Sequence, residues 1–308
     1  MGTKTKIDWC DATWNPVTGC LHGCEYCYAR GIANRFGGSI RLDLPPDTSW
    51  RANRDDSEEL KKPLMGDFSC HSNGGLHVLD EPALNVPVYP APPSEIEKRS
   101  APYPYFFDPT FHRYKLDQPQ KWTKPRTIFV CSMADLFGEW VPGEWIREIV
   151  AACDAAPQHR YLFLTKNPSK YKELDSLVHW PTFEETNIEK SRPYMMLGAS
   201  ATNDAQMKVA YDSDADWVSI EPIHERLLSE WFVSSIGSDD GQCIEFRRWE
   251  WVVIGAETGN RKDKIIPKKE WIQEIADISL QEGTPVFMKE SLSDLMGDDF
   301  RQEFPWEV

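Results

Sequence analysis

No run of apolar residues in this sequence approaches the roughly 20 needed to cross a bilayer as a helix. The opening MGTKTKIDWCD has no apolar stretch of the kind a secretory signal carries. The expectation is therefore a soluble, cytoplasmic protein with no membrane partner. Positive charge is scarce: 34 Lys and Arg stand against 49 Asp and Glu, a net charge of −15. That balance argues against holding nucleic acid by broad phosphate attraction, though it leaves room for a local basic groove. A disulfide framework is also missing. Eight cysteines in 308 residues do not resemble a secreted scaffold, and a chain this long builds a core without covalent staples. No repeat of solenoid type is present.

What is present is a rhythm. Residues 8–36 begin with a short strand in DATWNPVTG and end with a helix in EYCYARGIANRF, where Tyr28, Ile32 and Phe36 fall at helical spacing. From residue 125 onward, apolar strands alternate with amphipathic helices. The strands are RTIFVCS, HRYLFLTK, YMMLGAS, ADWVSIEP, WEWVVIGAE and TPVFMKE. In the helix GEWIREIVAACDAAP, residues Trp145, Ile146, Ile149, Val150 and Cys153 share one face. KKEWIQEIADISLQEG forms another helix, which stops at Gly283. Short apolar strands alternating with helices predict an α/β fold on a parallel sheet buried on both faces. A partial or full (β/α) barrel and an open doubly wound sheet both fit this pattern.

Two stretches break the rhythm. Residues 37–124 hold 12 of the 23 prolines and read as an irregular insertion or lid within a single domain spanning 1–308. Residues 226–248 read as a second, variable insertion. Within the first, CHSNGGLH offers Cys70, His71 and His77, while WRANR and RFGGSIR supply arginines suited to phosphate.

The carboxyl ends of the strands share a character. They finish at Cys131-Ser132 with Asp135 just beyond, Thr165-Lys166, Ser200, Glu221, Glu257 and Lys289-Glu290. Polar residues after one strand mean only that a loop has begun. Six such endings on one edge point to a functional mouth, because that edge carries the active site in both barrels and open α/β sheets.

TGCLHGCEYCYAR places Cys20, Cys24 and Cys27 in a C-x3-C-x2-C pattern. A structural zinc needs a fourth ligand, and the nearby Cys10 and His22 lack finger spacing. A zinc-stapled binding protein is the corresponding non-enzymatic reading. A catalytic zinc on three thiolates would be unusual, and three buried unligated cysteines in eight residues would be a coincidence. The remaining reading is a 4Fe–4S cluster on three thiolates, which leaves one iron open to a small molecule.

With Tyr26 just before the last cysteine and the motif in a loop between a first strand and its helix, this stretch resembles the signature of radical S-adenosylmethionine (SAM) enzymes. Longer stretches extend the likeness: DATWNPVTGC, CEYCYA, RTIFVCSMADLFGEWVP, FLTKNP, LGASATN, WVSIEPI, WVVIGAETG and VFMKE. Together these resemble a phage and bacterial three-cysteine-motif radical SAM family of long-unassigned function, itself similar to spore photoproduct lyase. The MKESL ending departs from that family's pattern.

The resemblance implies a partial (β/α) barrel of radical SAM type, with Cys20, Cys24 and Cys27 holding the cluster. It implies reductive cleavage of SAM to a 5′-deoxyadenosyl radical that abstracts hydrogen from a nucleobase in DNA or a nucleotide. A peptide or small metabolite is the alternative substrate class, and a small flavodoxin or ferredoxin would supply electrons. Lys166 would pair with the SAM carboxylate, and Ser132 and Ser200 would bond its head group or ribose. Cys131 would stand where the lyase carries a hydrogen-donating cysteine. Among the acids Asp135, Glu221 and Glu257, the choices for the SAM amine or ribose hydroxyls are Asp135 and Glu257. The bland alternative for each is a cap or a salt bridge.

Overall fold

The computed structural model describes residues 5–37, 74–85, 99–178, 194–233, 236–239, 242–245, 249–259 and 261–307. Seven strands form its main sheet: β1 (Ala12–Trp14), β2 (Thr127–Val130), β3 (Arg160–Thr165), β4 (Met195–Ala201), β5 (Trp217–Ile220), β6 (Trp251–Ile254) and β7 (Val286–Met288). All six pairings are parallel, and spatial order follows chain order from β1 to β7. An open doubly wound sheet reverses its strand order at a switch point. This sheet never does, and it curls into a half-barrel.

The pleat sorts side chains by alternation. Ile128, Val130, Tyr161, Phe163, Leu197, Val218, Val252 and Ile254 join the large core shared with the helices. Phe129, Leu162, Met196, Trp217, Trp251, Val253 and Phe287 cluster with Trp9 on the opposite, concave face. Gly198 makes this inner layer fit. A Cβ there would lie 2.3 Å from the Trp217 indole, so the glycine lets the ring lie across β4. At the sheet's edges, the backbone N–H of Glu290, beyond β7, donates to Asp8, ahead of β1, over 2.9 Å.

Helices α1 (Tyr28–Phe36), α2 (Gly143–Asp154), α3 (Leu174–Val178), α4 (Asp204–Tyr211) and α5 (Lys269–Gln281) lie on the crossovers. The expected face of α2 is buried in full, and α5 is followed by Gly283 at φ +67°. Helix α1 forms where the spacing of Tyr28, Ile32 and Phe36 placed it. Ile32 and Phe36 are exposed, the Tyr28 hydroxyl donates to the Ser132 carbonyl at 2.7 Å, and the helix packs through Ala29 and Ala33 against Phe107 and Met133. Small side chains allow the close approach that the neighbouring cysteine loop requires.

Part of the stretch read as an insertion is described and packs on the fold. Thr110–His112 pairs with Val17–Thr18 and with His77–Leu79, and Phe107, Phe111 and His112 are buried. Residues 101–122 thus belong to the body of the fold. Residues 38–73 and 86–98 of that stretch, with Cys70, His71 and the arginines of WRANR, lie outside the described residues. His77 stacks on Tyr105 with ring centroids 3.6 Å apart. Within 226–248, Ile236–Asp239 and Gln242–Glu245 form an antiparallel hairpin.

His112 yields a prediction. Its Nε2 bonds the Thr18 hydroxyl at 2.9 Å and its Nδ1 the Tyr114 hydroxyl at 3.2 Å. Burial, reinforced by the Lys115 charge, pushes its pKa down to about 3. Between that value and the ordinary 6.5 the unfolded chain holds a proton that the folded chain refuses, so stability falls with falling pH. From pH 7 to pH 4.5, wild type should lose about 2–3 kcal/mol more than His112→Gln, read from urea midpoints. Parallel losses would show that His112 is not held neutral by the fold.

Candidate active site

The cysteine loop begins with a constraint. Gly19 has φ +88°, and a Cβ there would sit 2.2 Å from the Asp108 carbonyl oxygen. Only glycine passes this point without strain. Its N–H donates to the Met133 carbonyl at 2.9 Å, and the Cys20 N–H donates to the Phe107 carbonyl at 3.1 Å. The loop is therefore stapled to the segment after β2 and to residues 107–108. Cys27 caps α1, its sulfur accepting from the Arg30 N–H at 3.4 Å.

Cys20, Cys24 and Cys27 are free, and all three line one cavity of about 530 Å³ at the carboxyl ends of the strands. Burial pushes the Cys20 thiol up to about 12, opposed by the backbone N–H of His22. At neutral pH it keeps its proton, which a bound metal centre would replace. Among the described residues, no three His, Cys, Asp or Glu side chains converge closely enough to hold one metal ion. A four-iron cubane instead spreads its thiolates over the corners of a larger body. Three thiols along one cavity wall, two with N–H···S bonds, fit that donor set.

Alternation brings the strand-end polar residues to the same cavity. Lys166, Ser200, Ser219, Glu221, Glu257 and Lys289 all line it, with Ser132 and Asp135 from the segment after β2. Lys166 Nζ donates to the Tyr26 hydroxyl at 3.1 Å and to the Ser200 hydroxyl at 3.0 Å. The Tyr26 hydroxyl also faces the Cys24 thiol, and burial raises its pKa so that it stays a phenol. Cys24, Tyr26, Lys166 and Ser200 thus form one polar chain, joining the cysteine loop to β3 and β4.

The two acids chosen from sequence are already engaged. Asp135 Oδ1 accepts from the Thr165 hydroxyl (2.7 Å) and the Phe137 N–H (3.1 Å). Its Oδ2 accepts from the Lys166 N–H (2.9 Å) and bonds His22 Nε2 (2.7 Å). Four partners make it the tie between the cysteine loop and the end of β3. Glu257 is forked by Arg261 at 2.7 and 2.8 Å, which holds its carboxyl below the usual range. The Ser132 hydroxyl donates to Asn15 Oδ1 at 3.2 Å.

Cys131 is the one predicted site residue that the structure puts elsewhere. It lies in the helix-side core, 2% exposed, with φ +58°, and is absent from the cavity wall. Its left-handed backbone breaks the alternation of β2, so the hydrogen-donor role is not carried forward.

Sequence reasoning missed the partners. Asn15, His22 and Arg261 were not assigned these contacts. Lys289 was noted only as a strand ending, yet its Nζ lies 2.7 Å from both oxygens of Glu221. The alternation of inward residues at the strand ends would have paired those two.

No curated protein and no solved structure matches this chain. One family model does, over residues 4–69 and 97–294, and its description is "Protein of unknown function (DUF5131)". Those spans take in the cysteine loop and every strand of the half-barrel, and the chain belongs to the DUF5131 family.

Proposed function

We propose that this protein is a radical SAM enzyme acting on a nucleobase, in DNA or as a nucleotide. The observation that carries the reading is the convergence of three thiols from one eight-residue loop with the lysine-centred polar chain on a single cavity. Cys20, Cys24 and Cys27 would hold a 4Fe–4S cluster, and SAM would take the open iron. Reduced by a flavodoxin or ferredoxin, the bound pair would supply a hydrogen-abstracting radical.

The chain's own residues bind and orient. Lys166 offers a charge at a strand end, held by Tyr26 and Ser200 beside the cysteine loop. A SAM carboxylate would give the Lys166 ammonium an anionic partner in place of a neutral hydroxyl. Asp135 fixes the Lys166 backbone and His22 together, so the loop and the lysine keep their spacing. Phe107, Phe129 and Leu164 supply apolar wall and limit water around the reacting groups.

The test is anaerobic purification, iron and sulfide analysis, and measurement of 5′-deoxyadenosine released from SAM under strong reductant. Lys166→Ala should keep its iron and weaken SAM binding about tenfold or more, the worth of a lost charge-assisted bond. Zinc in place of iron, or no release, overturns the reading. Unchanged SAM affinity in the variant overturns the carboxylate assignment.

A further inference from the structure

Positive charge is scarce in this chain but not evenly spread. The stretch RKDKIIPKK, residues 261–269, carries five of the 34 basic residues and one acid, Asp263, in a protein of net charge −15. It belongs to the connection from β6 to α5, so it leaves the sheet at the carboxyl edge, where the cavity lies. The start of that connection is cavity wall, formed by Glu257 and Thr258. Arg261 forks Glu257 and lies 3.5 Å from Glu25 of the cysteine loop, which fixes the basic stretch to the rim.

Two of the five charges are used within the fold: Arg261, and Lys269, which pairs with Asp299 at 2.7 Å. Lys262, Lys264 and Lys268 are exposed and form no ion pair among the described residues. Lys264 Nζ reaches only the Gly259 carbonyl, at 3.3 Å, and Lys268 lies over the Trp271 ring. Lys268 is also the N-cap residue of α5, and no side chain caps that helix. The helix dipole disfavours a cation there, so local stability does not account for Lys268. An arriving anion would meet the lysine and the positive end of the helix together. The stretch has an apolar tip as well. Ile266 is 75% exposed, the highest of any large apolar side chain among the described residues, and Ile265 is exposed beside it. Pro267, next in sequence, is buried and anchors them.

We propose that residues 261–269 dock double-stranded DNA, with Lys262, Lys264 and Lys268 on backbone phosphates and Ile265 and Ile266 as a wedge that opens the base stack at the cavity mouth. A base paired inside a duplex reaches an enclosed site only by leaving the stack. Proteins that unstack a base step do so with apolar side chains such as isoleucine, set among cations that hold the backbone. A free nucleotide has no stack to open and leaves the exposed isoleucines without a role. An acidic protein would suit the lysines, but docked on this rim it would cover the mouth by which a substrate enters. This rests on the nucleobase reading above and places that base in a duplex.

The experiment is fluorescence anisotropy of the anaerobically purified full chain with a short labelled DNA duplex over a range of salt. Log affinity should fall against log salt with a slope of about −2 to −3, as three phosphate contacts require. Lys262→Ala, Lys264→Ala and Lys268→Ala should each remove about one unit of that slope, and the triple variant should lose it. Wild type should raise the emission of 2-aminopurine placed in the duplex, and the variant carrying Ile265→Ala with Ile266→Ala should keep the slope but lose that rise. The altered side chains are exposed, so all these variants should melt with the wild type. No duplex binding at low salt, a slope that survives the triple variant, or no change in emission with wild type overturns the proposal. Displacement of the duplex by an equal concentration of mononucleotide does so too. A triple variant that binds the duplex normally, and loses turnover driven by flavodoxin but not by chemical reductant, would assign the stretch to the electron carrier instead. Iron content and SAM cleavage measured on the same samples keep the two readings apart. Duplex binding and unstacking without iron defeat the radical SAM reading only, and SAM cleavage by a protein that leaves the duplex unbound defeats this one only.

Discussion

Replacing Cys20, Cys24 or Cys27 by alanine should reduce the iron and sulfide of the anaerobically purified protein to background, and 5′-deoxyadenosine release with them. On the proposed assignment each thiol would supply one of only three protein anchors, so losing one would leave two irons without a protein ligand. The effect should be all-or-none and equal at the three positions. Cys10→Ala is the control: it is adjacent in sequence to β1, its thiol is pushed up to about 12 by burial, and it is not on the cavity wall. That variant should keep its iron. Metal binding and folding are coupled, so the three loop variants should also melt below the loaded wild type and close to the chelated protein. Iron retained in any of the three, or lost with Cys10→Ala, would mean that the ligand set is misassigned.

The sequence made some of this site visible because the relevant spacing is local. Three cysteines within eight residues are seen without knowing the fold, and so is Gly19, whose need for φ +88° fits the turn that launches them. Strand and helix periods are local too, which is why α2 buries the face its residues announced. Strand order is not local. A half-barrel and a doubly wound sheet use the same alternating elements, and only the unbroken β1 to β7 order separates them. Partnerships were hidden for the same reason. Asp135 looks like a free acid until His22, 113 residues earlier, and the Lys166 N–H, 31 later, are seen to occupy it. Glu221 and Lys289 are 68 residues apart and meet across the end of β6, where Gly255 leaves them room. Cys131 misled for a different cause: a single left-handed residue ended the pleat one position before the alternation would have turned its thiol inward.

Trp217→Ala should be the most damaging single substitution in the barrel floor, lowering stability by about 3–5 kcal/mol. The ring is fully buried, 5.3 Å from Trp251 and 5.6 Å from Trp9 by centroid, and it fills the space left by Gly198. Its indole N–H reaches the Met196 carbonyl at 3.4 Å, a long bond, so most of the loss should come from packing. A second substitution isolates that contact. Gly198→Ala sets a Cβ 2.3 Å from the indole and should by itself cost about 1–3 kcal/mol through overpacking. Combined with Trp217→Ala the new methyl enters a vacated space, so the double variant should be no less stable than Trp217→Ala alone. The coupling, read from urea midpoints across the four proteins, should therefore be favourable and at least as large as the single Gly198→Ala penalty. Additive losses would mean that Gly198 is required for its backbone rather than for the tryptophan. The floor would then be held by Trp9, Trp251 and Phe287 without a ring laid across β4.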